Sequence, residues 1–196
     1  MPQAAIRRSR GRPSAATRQQ FLDAATRRFL SCERVDVNSV CAELGLSRAT
    51  VHRWFGSRDR VLGEVLAALT LQFLERIERK SNGTGGVGLL DLFEGFARAL
   101  TADRALRHLI EHEREAAQRI LTAGDGVVEP RVVEMLQSQI EAEMSNGYTP
   151  PADPEVVAYA IVRIAESFLY SDGFHGDFNR LRAVYALLLG VDDRQQ

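Results

Sequence analysis

Residues 39–58, SVCAELGLSRATVHRWFGSR, place a glycine and then a serine between two short runs of helically spaced apolar residues. Val37, Val40, Cys41 and Leu44 recur at helical intervals, and Gly45 ends that run where a glycine can turn left-handed without a β-carbon penalty. Leu46 plugs the corner. Ser47 can then cap a second helix, its hydroxyl accepting a backbone N–H near Thr50. In a helix starting at Arg48, Val51 and Phe55 face inward. Ser47 at its start, Arg48, Ala49, Thr50, His52, Arg53 and Trp54 are left on the outer faces. Arginine, threonine and a methyl match base edges in the major groove of DNA, which admits one α-helix, so the second helix is the expected reader. Two short helices joined by a glycine can also form an ordinary hairpin.

The segment Phe21 to Leu62 resembles the DNA-binding domain of TetR-family transcriptional regulators. There, a first helix of the form ILDAA..LF precedes the helix-turn-helix, and F.SK..LL opens the fourth helix. Here these stretches read FLDAATRRF and FGSRDRVL. Leu46, Ser47, Thr50, Phe55 and Ser57 fall in register. His52 stands where the family usually has a phosphate-touching tyrosine, Trp54 where it often has histidine, and Arg58 where it usually has lysine. Ser31 and Val35 replace a common glycine and threonine. The resemblance implies an all-α fold and a phosphate contact from Arg58, whose charge suits one.

Charge supports a polyanion partner. Residues 1–62 hold 12 arginines against 5 acidic residues, net +7, and the remaining residues hold 13 bases against 21 acids, net −8. A near-neutral chain thus conceals a basic head, as phosphate binding with counterion release requires. Residues 1–14, MPQAAIRRSRGRPS, show no apolar periodicity and are expected to be a disordered basic arm. Its RGRP core resembles an AT-hook, and Arg10 and Arg12 are expected in the adjacent minor groove. No apolar stretch follows the charges, so the arm does not read as a signal peptide.

The expected organisation is therefore the arm, a helix-turn-helix domain over 15–62, and a helical regulatory and dimerisation domain over 63–196. Val61, Leu62, Val65, Leu66, Leu69, Phe73 and Ile77 form a stripe for a long fourth helix linking the two. The glycine-rich stretch 81–88 breaks it. Helices are expected over about 89–102, 104–122, 127–146, 154–171 and 177–190, about nine in all, with no strand-like alternation. No run reaches the roughly 20 apolar residues of a membrane span, and Cys32 and Cys41 make no disulfide framework. The expected setting is the cytoplasm.

The last two helices carry more apolar surface than a monomer face needs. Ile161, Ile164, Phe168, Leu181, Val184, Tyr185 and Leu188 are expected in a homodimer interface. In TetR-like proteins the final helices pair into a four-helix bundle, and a two-fold dimer suits an inverted-repeat operator with half-sites about 35 Å apart. Apolar walls with a few polar groups suggest a small-molecule effector site at Phe73, Phe93, Phe96, His108, His112, Glu166 and Tyr170.

His108-Leu-Ile-Glu111-His112 also fits the H-x-x-E-H pattern of zinc peptidases, with Glu115 a turn further on. A catalytic zinc needs a third ligand and an open position, and the stretch also reads as an amphipathic helix with a solvated face. No phosphate loop, nucleophile elbow or C-x-x-C pair accompanies it. The favoured expectation is a non-enzymatic regulator without cofactor or metal, most often a repressor in proteins that look like this, released from DNA by a largely apolar ligand. The alternatives are the same fold acting without an effector, and a zinc hydrolase.

Overall fold

Four side chains start the first four helices. Thr17 accepts the N–H of Gln20, whose amide answers to the Thr17 backbone at 2.8 Å, and this capping box opens α1 (Arg18–Leu30). Asp36 accepts the N–H groups of Asn38 and Ser39 and opens α2 (Val37–Leu44). Its carboxyl is held below the ordinary value, chiefly by the Ser39 hydroxyl at 2.7 Å. Ser47 opens α3 (Arg48–Phe55), and Ser57 opens α4 (Arg58–Glu78). Gly45 takes φ 65°, and the following Leu46 N–H reaches back to the Cys41 carbonyl at 2.9 Å. The expected turn is therefore formed as the sequence requires.

The computed structural model describes residues 16–79, 83–122, 126–170 and 177–192. Six further helices follow: α5 (Gly85–Ala102), α6 (Arg104–His112), α7 (Arg114–Thr122), α8 (Val128–Ser145), α9 (Pro154–Tyr170) and α10 (Phe178–Leu189). Among the described residues the chain is all-α, with ten helices. The expected helix over 104–122 is two. Glu113 leaves helical geometry at φ −136°, ψ 46°, separating α6 from α7.

The core of the head is Phe21, Ala24, Ala25, Phe29, Val40, Val51 and Phe55, with the Phe21 and Phe55 rings 5.6 Å apart. Helix α4 is the spine. It packs on α1 at its head end and on α5, α7 and α8 in the body. A β-carbon on Gly63 would sit 3.3 Å from the Val127 Cβ, so the glycine lets the start of α8 approach the spine closely. Further contacts pair α8 with α9 and α5 with α10.

Candidate functional site

The outer surface of α3 is built by its caps. The Ser47 hydroxyl accepts the Thr50 N–H at 3.1 Å and lies 2.9 Å from the Thr50 hydroxyl, so both side chains are engaged at the turn. Val51 and Phe55 are buried. Arg48, Ala49, His52 and Arg53 stand exposed. Thr50 and Trp54 are half-buried, the indole edge-on to Phe55 at 6.3 Å. Asp36 and Asn38 of the α2 start line a surface concavity beside Arg48 and His52, a neighbourhood that the pattern of α3 alone did not reveal. Arg10 and Arg12 lie outside the described residues.

Arg58 is redirected. Its Nε donates to the Val35 carbonyl at 2.7 Å, and its guanidinium meets the Glu113 carboxylate at 2.7 Å. Both side chains are largely shielded from water. The guanidinium expected at a phosphate is thus paired within the protein in this structure. Arg34 approaches the same carboxylate at 3.9 Å, and Asp59 pairs with Arg119 at 3.2 Å. Arg58–Glu113 and Asp59–Arg119 tie the start of α4 to the α6–α7 break and to α7. Sequence reasoning missed Glu113 because its partner is 55 residues away.

In the body, a cleft with about 600 Å³ of empty space, part of it open to solvent, lies between α4, α5, α6, α7, α8, α9 and α10. It is a slot, since only about 60 Å³ admits the centre of a water-sized atom. Its walls are apolar, and the polar groups set into them are Thr70, Glu129, Glu166 and Tyr185. Arg163 lies 2.7 Å from Glu166 and 3.5 Å from the Oε2 of Glu129. Burial pushes the Glu166 carboxyl up to about 7, with Arg163 pulling it down and Glu129 raising it further. Burial also raises the Tyr185 phenol, whose hydroxyl donates to the Ile161 carbonyl at 3.4 Å.

The expected effector residues divide. Phe96 and Glu166 line the cavity. Phe73 lines a neighbouring surface groove that shares Leu66, Thr70, Leu100 and Leu106 with it. Phe93 is buried in the core and faces neither space. The Tyr170 side chain lies outside the described residues. His108 and His112 do not line the cavity. They stack on each other at 4.1 Å on α6, with the His112 Nδ1 3.0 Å from the His108 carbonyl. Among the described residues no three histidine, cysteine or acidic side chains gather to hold a metal, and Glu111 is exposed.

The dimer assignment needs the same sorting. Ile161, Leu181 and Tyr185 are buried within the chain itself, so they are core residues and not a free face. Ile164, Phe168 and Leu188 are half-buried, while Val184 is exposed. The outer apolar surface also holds Val156, Tyr159 and Leu187, exposed by 59, 50 and 79%. No helix among the described residues is long and apolar enough to cross a membrane.

Residues 84–190 match the family model of the tetracyclin repressor-like C-terminal domain. The chain belongs to the TetR family of transcriptional regulators. Over 91% of this chain and 96% of the other, it is similar to the TetR-family transcriptional repressor QsdR of R. erythropolis, at 27% identity and a TM-score of 0.83. The TetR-family repressor AlkX from Dietzia sp., implicated in biodegradation of n-alkanes, shares the fold at 21% identity and a TM-score of 0.66, over 89% and 94% of the two chains. FadR from Bacillus subtilis, solved in complex with stearoyl-CoA, shares it at 16% and 0.51, over 90% and 100%. A comparison with curated proteins returned no match.

Proposed function

We propose that this regulator is a homodimeric, sequence-specific repressor that leaves its operator when a small, largely apolar ligand enters the body. The observation that carries the reading is the exposed face of Arg48, Ala49, His52 and Arg53 on a helix fixed by the Gly45 turn and the Ser47 cap. These residues offer fork-like donors, a methyl and an imidazole at the spacing of one helix turn, which is the chemistry that reads bases in the major groove. The arginines of the head and arm neutralise phosphates, so affinity falls steeply with salt. The arm adds minor-groove contacts through Arg10 and Arg12.

Two heads joined through Val156, Tyr159, Val184 and Leu187 present two α3 helices to two half-sites. A ligand in the slot touches α4 through Leu66 and Thr70, and the Arg58–Glu113 pair couples the head end of the same helix to the α6–α7 break. Release requires a ligand that binds the DNA-free arrangement more tightly than the DNA-bound one, because equal affinity shifts nothing. Selection of tight sites from random duplexes at near-physiological salt tests the proposal. An inverted repeat supports a symmetric reader; enrichment with no motif overturns it and points to binding by charge alone.

A further inference from the structure

Three other shielded carboxylates among the described residues each meet two arginines. Glu94 is met by Arg98 and by Arg182, each at 2.6 Å. Burial raises its carboxyl, yet those arginines outweigh the effect and hold it below the ordinary value. Glu64 has Arg18 and Arg131, both at 3.0 Å, and Glu113 has Arg58 and Arg34. The slot reverses the ratio. Glu129 and Glu166 share the guanidinium of Arg163, whose side chain is 43% exposed. The arginine's hydrogen bond goes to Glu166 at 2.7 Å, and it stands 3.5 Å from Glu129. Glu129 is 7% exposed, and its Oε2 is buried with no hydrogen-bond partner.

A buried carboxylate oxygen without a donor is costly, and an unbalanced negative charge in an apolar wall is costlier. Both costs are relieved by a cation or a strong donor arriving from the cavity. We propose that the effector carries an ammonium or similar cationic group on an apolar body, the cation sitting between Glu129 and Glu166 and the apolar part running along the Phe96, Leu136 and Ile161 walls. This rests on the reading of the slot as the effector site. It specifies the ligand's polar end, which the apolar lining alone leaves undefined. An anionic head group is disfavoured there by both carboxylates.

The polar groups lining the slot with Glu166 are Glu129 of α8, the Tyr185 phenol of α10 and Thr70 of α4, with Arg163 of α9 bonded to Glu166; α5, α6 and α7 contribute apolar side chains only. With its carboxyl at about 7, Glu166 is mostly protonated at pH 6 and mostly ionised at pH 8. An alkylammonium keeps its charge across that range. Its affinity therefore rises with pH, by roughly tenfold from pH 6 to pH 8 if the ionised carboxylate is the competent form.

The test is isothermal titration calorimetry of the full chain with octylamine, 1-octanol and octanoate. These probes share an eight-carbon body and differ in the head group. Octylamine is expected to bind about tenfold or more tighter than octanol at pH 8, the scale of a charge-assisted hydrogen bond, and octanoate weakest of the three. Glu129→Gln is expected to collapse the amine-to-alcohol ratio toward one, and Glu166→Gln to flatten the pH dependence, so the proposal stays testable if either variant fails to fold. Equal binding of amine and alcohol, or tighter binding of octanoate, overturns the cationic head group and leaves the slot standing as a ligand site. Failure of all three probes to bind overturns the effector slot itself, and this inference with it.

Discussion

The head and the body of this protein handle polar groups in opposite ways. In the head the described polar side chains remain at least partly open to water and the interior is apolar, so its chemistry is presented outward on a small rigid frame. The buried polar residues among those described, Glu94, Thr101, Glu129 and Glu166, all belong to the body. A surface that must meet a large polyanion needs exposed donors held in register. A pocket that must distinguish small molecules needs a few polar groups taken out of water, where each is worth more. The contrast is what the proposed function requires, with DNA read on the outside of the head and an effector held inside the body.

The severest break of that comparison is to empty the head's core. Phe55→Ala removes a ring packed on Phe21 and covered by the Arg18 guanidinium at 4.6 Å, and is expected to destabilise the chain by about 3–5 kcal/mol in urea melts. Loss of less than about 1 kcal/mol would mean that the head does not depend on this packing.

The body's inward carboxylate is expected to leave a mark on pH dependence. Glu166 holds its proton more tightly folded than unfolded, so its contribution to stability is complete below about pH 4.5 and is lost as pH rises to about 7, staying lost above. Glu166→Gln should remove this slope, which is on the order of a few kcal/mol at most. Asp36, Glu43 and Glu94, whose carboxyls are held low, act in the opposite sense, with stability that is lost on acidification. The difference between native and variant melts at pH 5 and pH 8 isolates Glu166; no change in that difference would contradict its raised carboxyl.

Arg48→Ala and Arg53→Ala are each expected to weaken binding to a selected site by about 1–3 kcal/mol while leaving thermal stability within about 0.5 kcal/mol, since both side chains are exposed. Smaller again is the expected effect of Glu113→Gln on stability, about 1–2 kcal/mol, because Arg58 keeps the Val35 carbonyl and loses only its charged partner. Its sharper consequence concerns coupling. A bound amine should dissociate this variant from DNA less effectively than the native chain, as fluorescence anisotropy of a labelled duplex would show.

Much of the head was legible because its signals are local. Gly45, Ser47 and the inward pair Val51 and Phe55 lie within eleven residues, and each acts through short-range geometry. The body was legible as helices but not as surfaces. Apolar stripes on α9 and α10 identify buried sides without telling which side turns to the chain's own core, so Ile161, Leu181 and Tyr185 were expected in an interface and lie inside. Glu113 owes its position to a distant arginine, which spacing cannot reveal. Glu129 did leave a signal. It falls in step with Val132, Leu136 and Ile140 on the buried stripe of α8, a charge where the pattern calls for an apolar residue. His108 and His112 carried the opposite lesson, since i, i+4 spacing brings rings together on any helix, with or without a metal.

The most direct test of the central claim, that α3 reads base edges, is to select binding sites from random duplexes with the native chain and Arg48→Ala side by side at one salt concentration. An inverted repeat is expected from the native chain, and relaxed preference at one symmetry-related position in each half-site from the variant. An identical motif from both, weakened or not, would contradict base reading by Arg48 and place its contribution on the phosphates.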